Sequence, residues 1–292
     1  MSAPGHRSLP LDAHLHTSSS PDSGVPIDSY AALALERGIA EIAITDHVDF
    51  EPGAPAFDYV PFAQRERIVR DAAERWGPLG VTIAFGVEVT YDRRFEASIR
   101  SHLADHRYDF VIGSCHVYRG SVYAPDRVAR WVEGQSLRTI VAPYFAEVEA
   151  AARTRLFDAL GHLDYVKRYL HPHVTRHDLA GAPELYEPIL RVLVDSGTAL
   201  EVNTSGLRQR AGETYPSPAI VKLFRELGGQ RVTVGSDAHQ ADQFAWALVD
   251  GYDAATSAGF EALTFRRGAA PITIDLAGPA GGAAAATSSS PP

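Results

Sequence analysis

The chain has 292 residues, long enough for one large domain of the α/β barrel type or two small ones, and 45% of them are hydrophobic, enough to fill a sizeable core. Its formal charge of −9, from 36 acidic and 27 basic residues, offers no general attraction for nucleic acid or anionic membranes, and no apolar run approaches the roughly 20 residues of a membrane span. A single cysteine, Cys115, excludes an intramolecular disulfide and any thiolate-rich zinc or iron–sulfur site.

Residues 1–8, "MSAPGHRS", lack the apolar centre of a signal peptide; with the lone cysteine they predict a cytoplasmic protein with a flexible start. The first element is the strand "LPLDAHL" (9–15), whose alternation points Asp12, His14 and His16 the same way. Three ionisable groups on one face do not make a core, although a solvated strand end would hold an isolated His-x-His equally well. A helical segment "DSYAALALERG" (28–38) then leads to the strand "EIAIT" (41–45) and His47. The segment "PFAQRERIVRDAAERWG" (61–77) leads to "VTIAFGVEV" (81–89) with Glu88, and "RFEASIRSHLADH" (94–106) to "DFVIGS" (109–114) and His116. Next, "PYFAEVEAAARTRLF" (143–157) leads to "ALGHLDYV" (159–166), which carries His162. Finally "APELYEPILRVLVDSG" (182–197) precedes "TALEVN" (198–203), and "SPAIVKLFRELG" (217–228) precedes "VTVGS" (232–236) with Asp237 and His239 beyond it. The tail 277–292 is Gly/Pro/Ser-rich, has no aromatic residue and is expected to be disordered, which leaves 9–276 as one domain.

Strands alternating with helices argue for a parallel sheet with crossover helices. Six of the seven strands end in a metal-type residue, and in a parallel barrel all strand carboxyl ends meet at one rim, where active sites sit. Imidazole and carboxylate donors suit Zn, Mn or Fe, and the lack of Cys ligands favours a catalytic over a closed structural site. A carboxylate such as Glu88 can bridge two cations. The expectation is therefore a multinuclear metal site.

The ordered motifs "HLHT", "TDH", "GVE", "GSCH", "GHLD", "EVNTSG" and "GSDAH" resemble the PHP (polymerase and histidinol phosphatase) family, most closely its monofunctional histidinol-phosphatase branch, over about residues 10–267. The resemblance implies a distorted (β/α)7 TIM-like barrel holding two to three divalent metal ions at the C-terminal rim of its strands. It places the metal ligands on His14, His16, His47, Glu88, His116, His162, Asp237 and His239. A further ligand position, often His in that branch, is here Asp22; the composition of "SPDSG" suits a turn residue equally well. Asp12, Asp46 and Asp164 could accept from imidazole N–H groups, and Cys115 is expected to be a buried apolar filler.

Clustered divalent cations can generate hydroxide near neutral pH and hold phosphoryl oxygens for in-line attack, so phosphoester hydrolysis follows. The substrate implied by the resemblance is L-histidinol phosphate, hydrolysed by a phosphomonoesterase. Guanidinium groups match phosphate oxygens, and the rim candidates are Arg119, Lys167, Arg168 and Arg208, with Arg168 and Arg208 at basic positions of the resembling phosphatases. Asn203 and Ser205 could bind substrate or satisfy a turn. The catalytic set is Glu88, Asp237, Arg168 and Arg208, with Asp237 the candidate for protonating the leaving alkoxide through a metal-held water. The expected partner is a small phosphate ester, with no nucleic acid and no membrane; a nucleotide or other small phosphate mono- or diester is the alternative substrate.

Overall fold

The computed structural model describes residues 9–117 and 120–276. The candidate Arg119, the expected flexible start (1–8) and the expected tail (277–292) lie outside the described residues. The barrel strands are β1 (Leu11–Leu15), β2 (Glu41–Ile44), the two-residue β3 (His47–Val48), β4 (Thr82–Thr90), β5 (Phe110–Ser114), β6 (Ala159–Leu160), β7 (Ala199–Asn203) and β8 (Val232–Gly235). All pair in parallel, in the order β1-β2-β4-β5-β6-β7-β8, with β3 attached to β4 beside that path. The result is a nearly closed seven-stranded barrel, with the parallel strands expected from the alternation and the closure implied by the family resemblance.

Helices between the strands bury one stripe each. In the helix Ile27–Arg37 the buried residues are Ile27, Tyr30, Ala31 and Ala34, the i, i+3, i+4, i+7 pattern of a core-facing helix. That helix ends at Gly38, whose φ of 69° is the left-handed conformation a helix stop favours. One cluster of buried apolar side chains runs from Leu9 to Leu276 through the strands and helices. Among the described residues no helix is long and apolar enough to cross a membrane.

Closure between β1 and the end of β8 uses both backbone and side chains: Asp237 N donates to His14 O at 2.8 Å and His16 N to Ala238 O at 3.0 Å. A single bridge joins Leu15 to Ala238, while buried Asp12 accepts from the Ser236 amide at 2.8 Å and from its hydroxyl at 2.6 Å. The Tyr252 hydroxyl accepts from Leu11 N and donates to Leu11 O, tying the helix Leu248–Ser257 to the same edge. Gly235 allows the close approach: a Cβ there would lie 2.3 Å from the His14 Cβ.

Four features differ from the sequence-based expectation. The fifth strand is only Ala159–Leu160, because the chain turns at His162, whose carbonyl accepts from Tyr165 N, and enters the helix Val166–Leu170. The helix expected at 143–157 spans Leu137–Arg153, its Pro143 lying within it, and the helix Leu248–Ser257 was not anticipated. Strands β9 (Ala262–Arg267) and β10 (Ala270–Asp275) form an unanticipated antiparallel hairpin about Gly268, at φ 62°. Phe265 stacks on Phe110 at the start of β5, Arg267 pairs with Glu41 at the start of β2, and Arg266 pairs with Asp158 just before β6. The hairpin therefore covers the N-terminal mouth of the barrel and leaves the opposite mouth to the site.

Candidate metal centre

All nine candidate ligands lie at the carboxyl-terminal ends of strands or just beyond them. His14 is in β1, His16 and Asp22 follow it, His47 opens β3 and sits opposite Glu88 of β4 in register. His116, His162, Asp237 and His239 follow β5, β6 and β8 by two to four residues. A parallel barrel brings strand ends together regardless of sequence separation, so residues more than two hundred positions apart meet.

Buried Glu88 is the hub. Its Oε2 lies 2.9 Å from His47 Nδ1 and 3.4 Å from the Nε2 atoms of both His14 and His16; its Oε1 lies 2.8 Å from His162 Nε2 and 3.5 Å from His116 Nε2. Asp237 Oδ1 sits 3.3 Å from His16 Nε2 and 3.7 Å from His14 Nε2, on a residue with φ 53°, a conformation that costs a side-chain-bearing residue energy. Asp22 Oδ2 stands between His239 Nε2 at 3.2 Å and His47 Nε2 at 3.4 Å, so the turn residue does point its carboxylate at two imidazoles. Three overlapping groups bring donors within 4.8 Å of one another: His16, His47 and His239; His14, His16 and Asp237; His47, Glu88 and His116.

This donor set fits divalent cations. Imidazole nitrogens of His14 and His16 face each other at 3.0 Å, and the buried His162 Nδ1 has no hydrogen-bond partner among the described residues, a costly arrangement for protein atoms alone. The set is all nitrogen and oxygen, the chemistry of Zn, Mn or Fe.

The electrostatics point the same way. Burial opposes ionisation of Glu88, yet the imidazoles of His47, His14 and His116 hold it well below the usual carboxylate range. Asp237 and Asp22, also opposed by burial, are lowered by their histidine neighbours. Against the effect of burial, Glu201 and Glu88 raise His14, Glu88 and Asp22 raise His47 to about 10, and Asp22 and Asp237 raise His239. Burial and the neighbouring His239 and His47 lower His16, and burial takes His116 to about 4. Protons on His14, His47 and His239 thus offset carboxylate charge that cations would otherwise offset.

The layer around the ligands departs from expectation. Fully buried Glu201, not singled out in the sequence, accepts from His14 Nδ1 at 2.6 Å and, through its other oxygen, from His162 N at 2.7 Å and Asn203 Nδ2 at 3.1 Å. The available signal was a carboxylate two residues before Asn203 on a buried strand, hence on the same face. Asp12 accepts from backbone and Ser236, not from an imidazole, because it closes the barrel. Asp46 reaches His16 only through Ser20, whose hydroxyl donates to Asp46 at 2.9 Å and lies 3.3 Å from His16 Nδ1. Asp164 is taken by Lys167 at 2.6 Å and the Tyr186 hydroxyl at 2.8 Å. Asn203 spends its amide on Glu201, Asp237 and the Ser205 amide, while the buried Ser205 hydroxyl has no partner. Cys115 is buried and its thiol raised, as an apolar filler would be.

The ligands open onto a cavity of about 1160 Å³, whose wall includes Glu88, Asp237, Arg168 and Arg208. Arg208 donates to Ser236 O at 2.7 Å and Asp237 O at 2.5 Å, which fixes its guanidinium beside Asp237; burial lowers its pKa. Arg168 lies over the Tyr165 ring and donates to its hydroxyl, and Tyr165 in turn packs on His162 at 4.4 Å between centroids. Lys167 does not face this cavity: it is 4% exposed and held between Asp164 and Glu213 at 2.6 Å each.

Known proteins resemble both the sequence and the fold. A 32% identical relative, the Deinococcus radiodurans protein named probable histidinol-phosphatase, aligns over 87% of this chain and 96% of its own length. The Lactococcus lactis histidinol-phosphatase is 29% identical over 79% of this chain and 84% of its own length. A crystal structure of histidinol phosphate phosphatase from Lactococcus lactis, complexed with zinc, L-histidinol and phosphate, superposes with a TM-score of 0.75 at 24% identity, covering 88% of this chain and 97% of that one. The family model of the PHP domain matches residues 12–205, more than half of the chain, and the chain belongs to the PHP family.

Proposed function

We propose that the protein is a metal-dependent phosphomonoesterase that hydrolyses L-histidinol phosphate to L-histidinol and phosphate, in histidine biosynthesis. The observation that carries the reading is a cluster of imidazoles and carboxylates, seven of whose nine members line one cavity together with Arg168 and Arg208. Relatives named histidinol-phosphatase that align along most of their length support the substrate.

The cluster would hold two to three divalent ions on His14, His16, Asp22, His47, Glu88, His116, His162, Asp237 and His239, with Glu88 shared between sites. Such ions supply Lewis acidity and a nucleophilic hydroxide near neutral pH. Glu201 fixes His14 with Nδ1 protonated, so that Nε2 is the free donor. Arg208 and Arg168 present planar N–H groups to the phosphate oxygens, Arg208 pre-set by its two carbonyl partners. Asp237, ionised in this environment, acts as a ligand and proton acceptor, so the proton for the leaving oxygen comes through water at its carboxylate.

The test is a kinetic screen of the metal-reconstituted protein. L-Histidinol phosphate should show kcat/KM at least ~100-fold above p-nitrophenyl phosphate and nucleoside monophosphates, roughly 2.7 kcal/mol in transition-state binding. Equal rates, or preference for a nucleotide or diester, would refute the substrate; less than one metal equivalent by elemental analysis would refute the multinuclear centre.

A further inference from the structure

The cavity is far larger than a phosphate group, and beyond the arginines one of its edges is an unusual turn. Residues Phe244 to Leu248 read Phe-Ala-Trp-Ala-Leu, and both alanines flanking Trp246 have positive φ, 53° at Ala245 and 49° at Ala247. A residue with a Cβ rarely adopts this conformation, and glycine is absent from both positions. The turn holds its shape because its ends are anchored. Phe244 is fully buried against Tyr30 and its carbonyl accepts from Arg37; the Trp246 carbonyl accepts from Thr204 Oγ1 at 2.6 Å; and the Trp246 amide donates to Gln243 O. Gln243 also accepts from the His239 amide at 3.1 Å, which ties the turn to the metal cluster.

What this strained turn presents is Trp246, lining the cavity while 46% exposed. The other two tryptophans give their indole N–H to protein acceptors, Trp76 to Asp28 and Trp131 to Ile140 O; among the described residues the Trp246 indole has no such partner. Beside it Asp242 adds a carboxylate to the cavity wall. Strain maintained at a cavity edge, with a large aromatic left uncovered, marks a ligand-contacting position.

We propose that Trp246 is a specificity-determining residue: the leaving group of the substrate, a flat and partly cationic imidazole with a neighbouring amine, lies against its indole while the arginines hold the phosphate. The inference rests on the histidinol phosphatase reading and adds which side chain selects the leaving group. Stacking and cation–π attraction suit an aromatic cation and favour it over an aliphatic one.

The test compares kcat/KM for L-histidinol phosphate with that for 3-aminopropyl phosphate, which keeps the phosphate and an amine but has no ring. Trp246→Ala should lower this ratio at least ~10-fold, mainly through KM, and Trp246→Phe should restore most of it. L-Histidinol should also change the tryptophan emission of the wild-type protein and leave that of Trp246→Phe unchanged. A ratio within threefold of wild type in both variants, or the same emission change in Trp246→Phe, overturns the proposal. Wild-type protein that spares L-histidinol phosphate overturns the substrate reading itself, and the wild-type rate alone distinguishes the two failures.

Discussion

Replacing Glu201 by Gln isolates what a residue outside the ligand set contributes. Glu201 is fully buried, and its two oxygens receive three donors: His14 Nδ1 at 2.6 Å, His162 N at 2.7 Å and Asn203 Nδ2 at 3.1 Å. Glutamine keeps the volume but replaces one oxygen by an NH2 group. Turned toward His162 and Asn203, that group meets two donors, and each hydrogen bond to a charged acceptor lost there is worth about 1.5–3 kcal/mol. Turned toward His14, it forces Nδ1 to accept, so the proton moves to Nε2 and blocks the nitrogen that faces Glu88 and Asp237. Either orientation weakens the centre, and outer-layer substitutions of this kind typically cost 10- to 100-fold in metal affinity, about 1.4–2.7 kcal/mol. Competition of the apo-protein against a chromophoric zinc chelator measures the loss, with circular dichroism reporting the fold. Affinity within threefold of wild type, with unchanged kcat, would refute the assignment of Glu201 as the residue that orients His14.

Glu88→Gln should lower kcat by orders of magnitude while the fold survives, because it removes charge from the hub without removing volume; steady-state kinetics and thermal unfolding check this, and activity within tenfold of wild type would make Glu88 a structural residue. Metal uptake should release protons, since His14, His47 and His239 are raised in the metal-free cluster, and a ligating imidazole must be neutral. Affinity should therefore rise with pH through the neutral range, toward the value of about 10 held by His47, and calorimetry in buffers of different ionisation enthalpy counts the protons; no net release would refute the protonation pattern. Gly235→Ala should destabilise the protein by at least about 1–3 kcal/mol in chemical denaturation, because its Cβ would fall 2.3 Å from His14 Cβ in a packed barrel seam; unchanged stability would mean that the β1–β8 seam can open freely.

Much of the architecture is readable along the chain because its signals are local. Strand-length apolar runs separated by amphipathic segments argue for parallel strands with crossover helices; the ordered motifs, through the family they resemble, add the barrel, at whose rim His14, His47, Glu88, His116, His162 and Asp237 would meet. The β9–β10 hairpin also left a local trace in the alternating Leu263 and Phe265 before Gly268, although its place across the lower mouth depends on Phe110, Glu41 and Asp158. Partner choice is different in kind. Asp12, Asp46 and Asp164 all sit beside or near histidines in sequence, yet the first closes the barrel through Ser236, the second acts through Ser20, and the third is held by Lys167 and Tyr186. Lys167 and Arg168 are neighbours, but a helical turn sends one into a buried ion pair and the other to the cavity. The sequence by itself determined the parallel strands and the residue types at their carboxyl ends, since periodicity and strand ends are properties of short segments, and the barrel followed from the motifs' resemblance to a family. Only the tertiary structure decided which carboxylate orients which imidazole and where Trp246 stands, because a hydrogen bond of 2.6 Å depends on side chains from strands far apart in the chain.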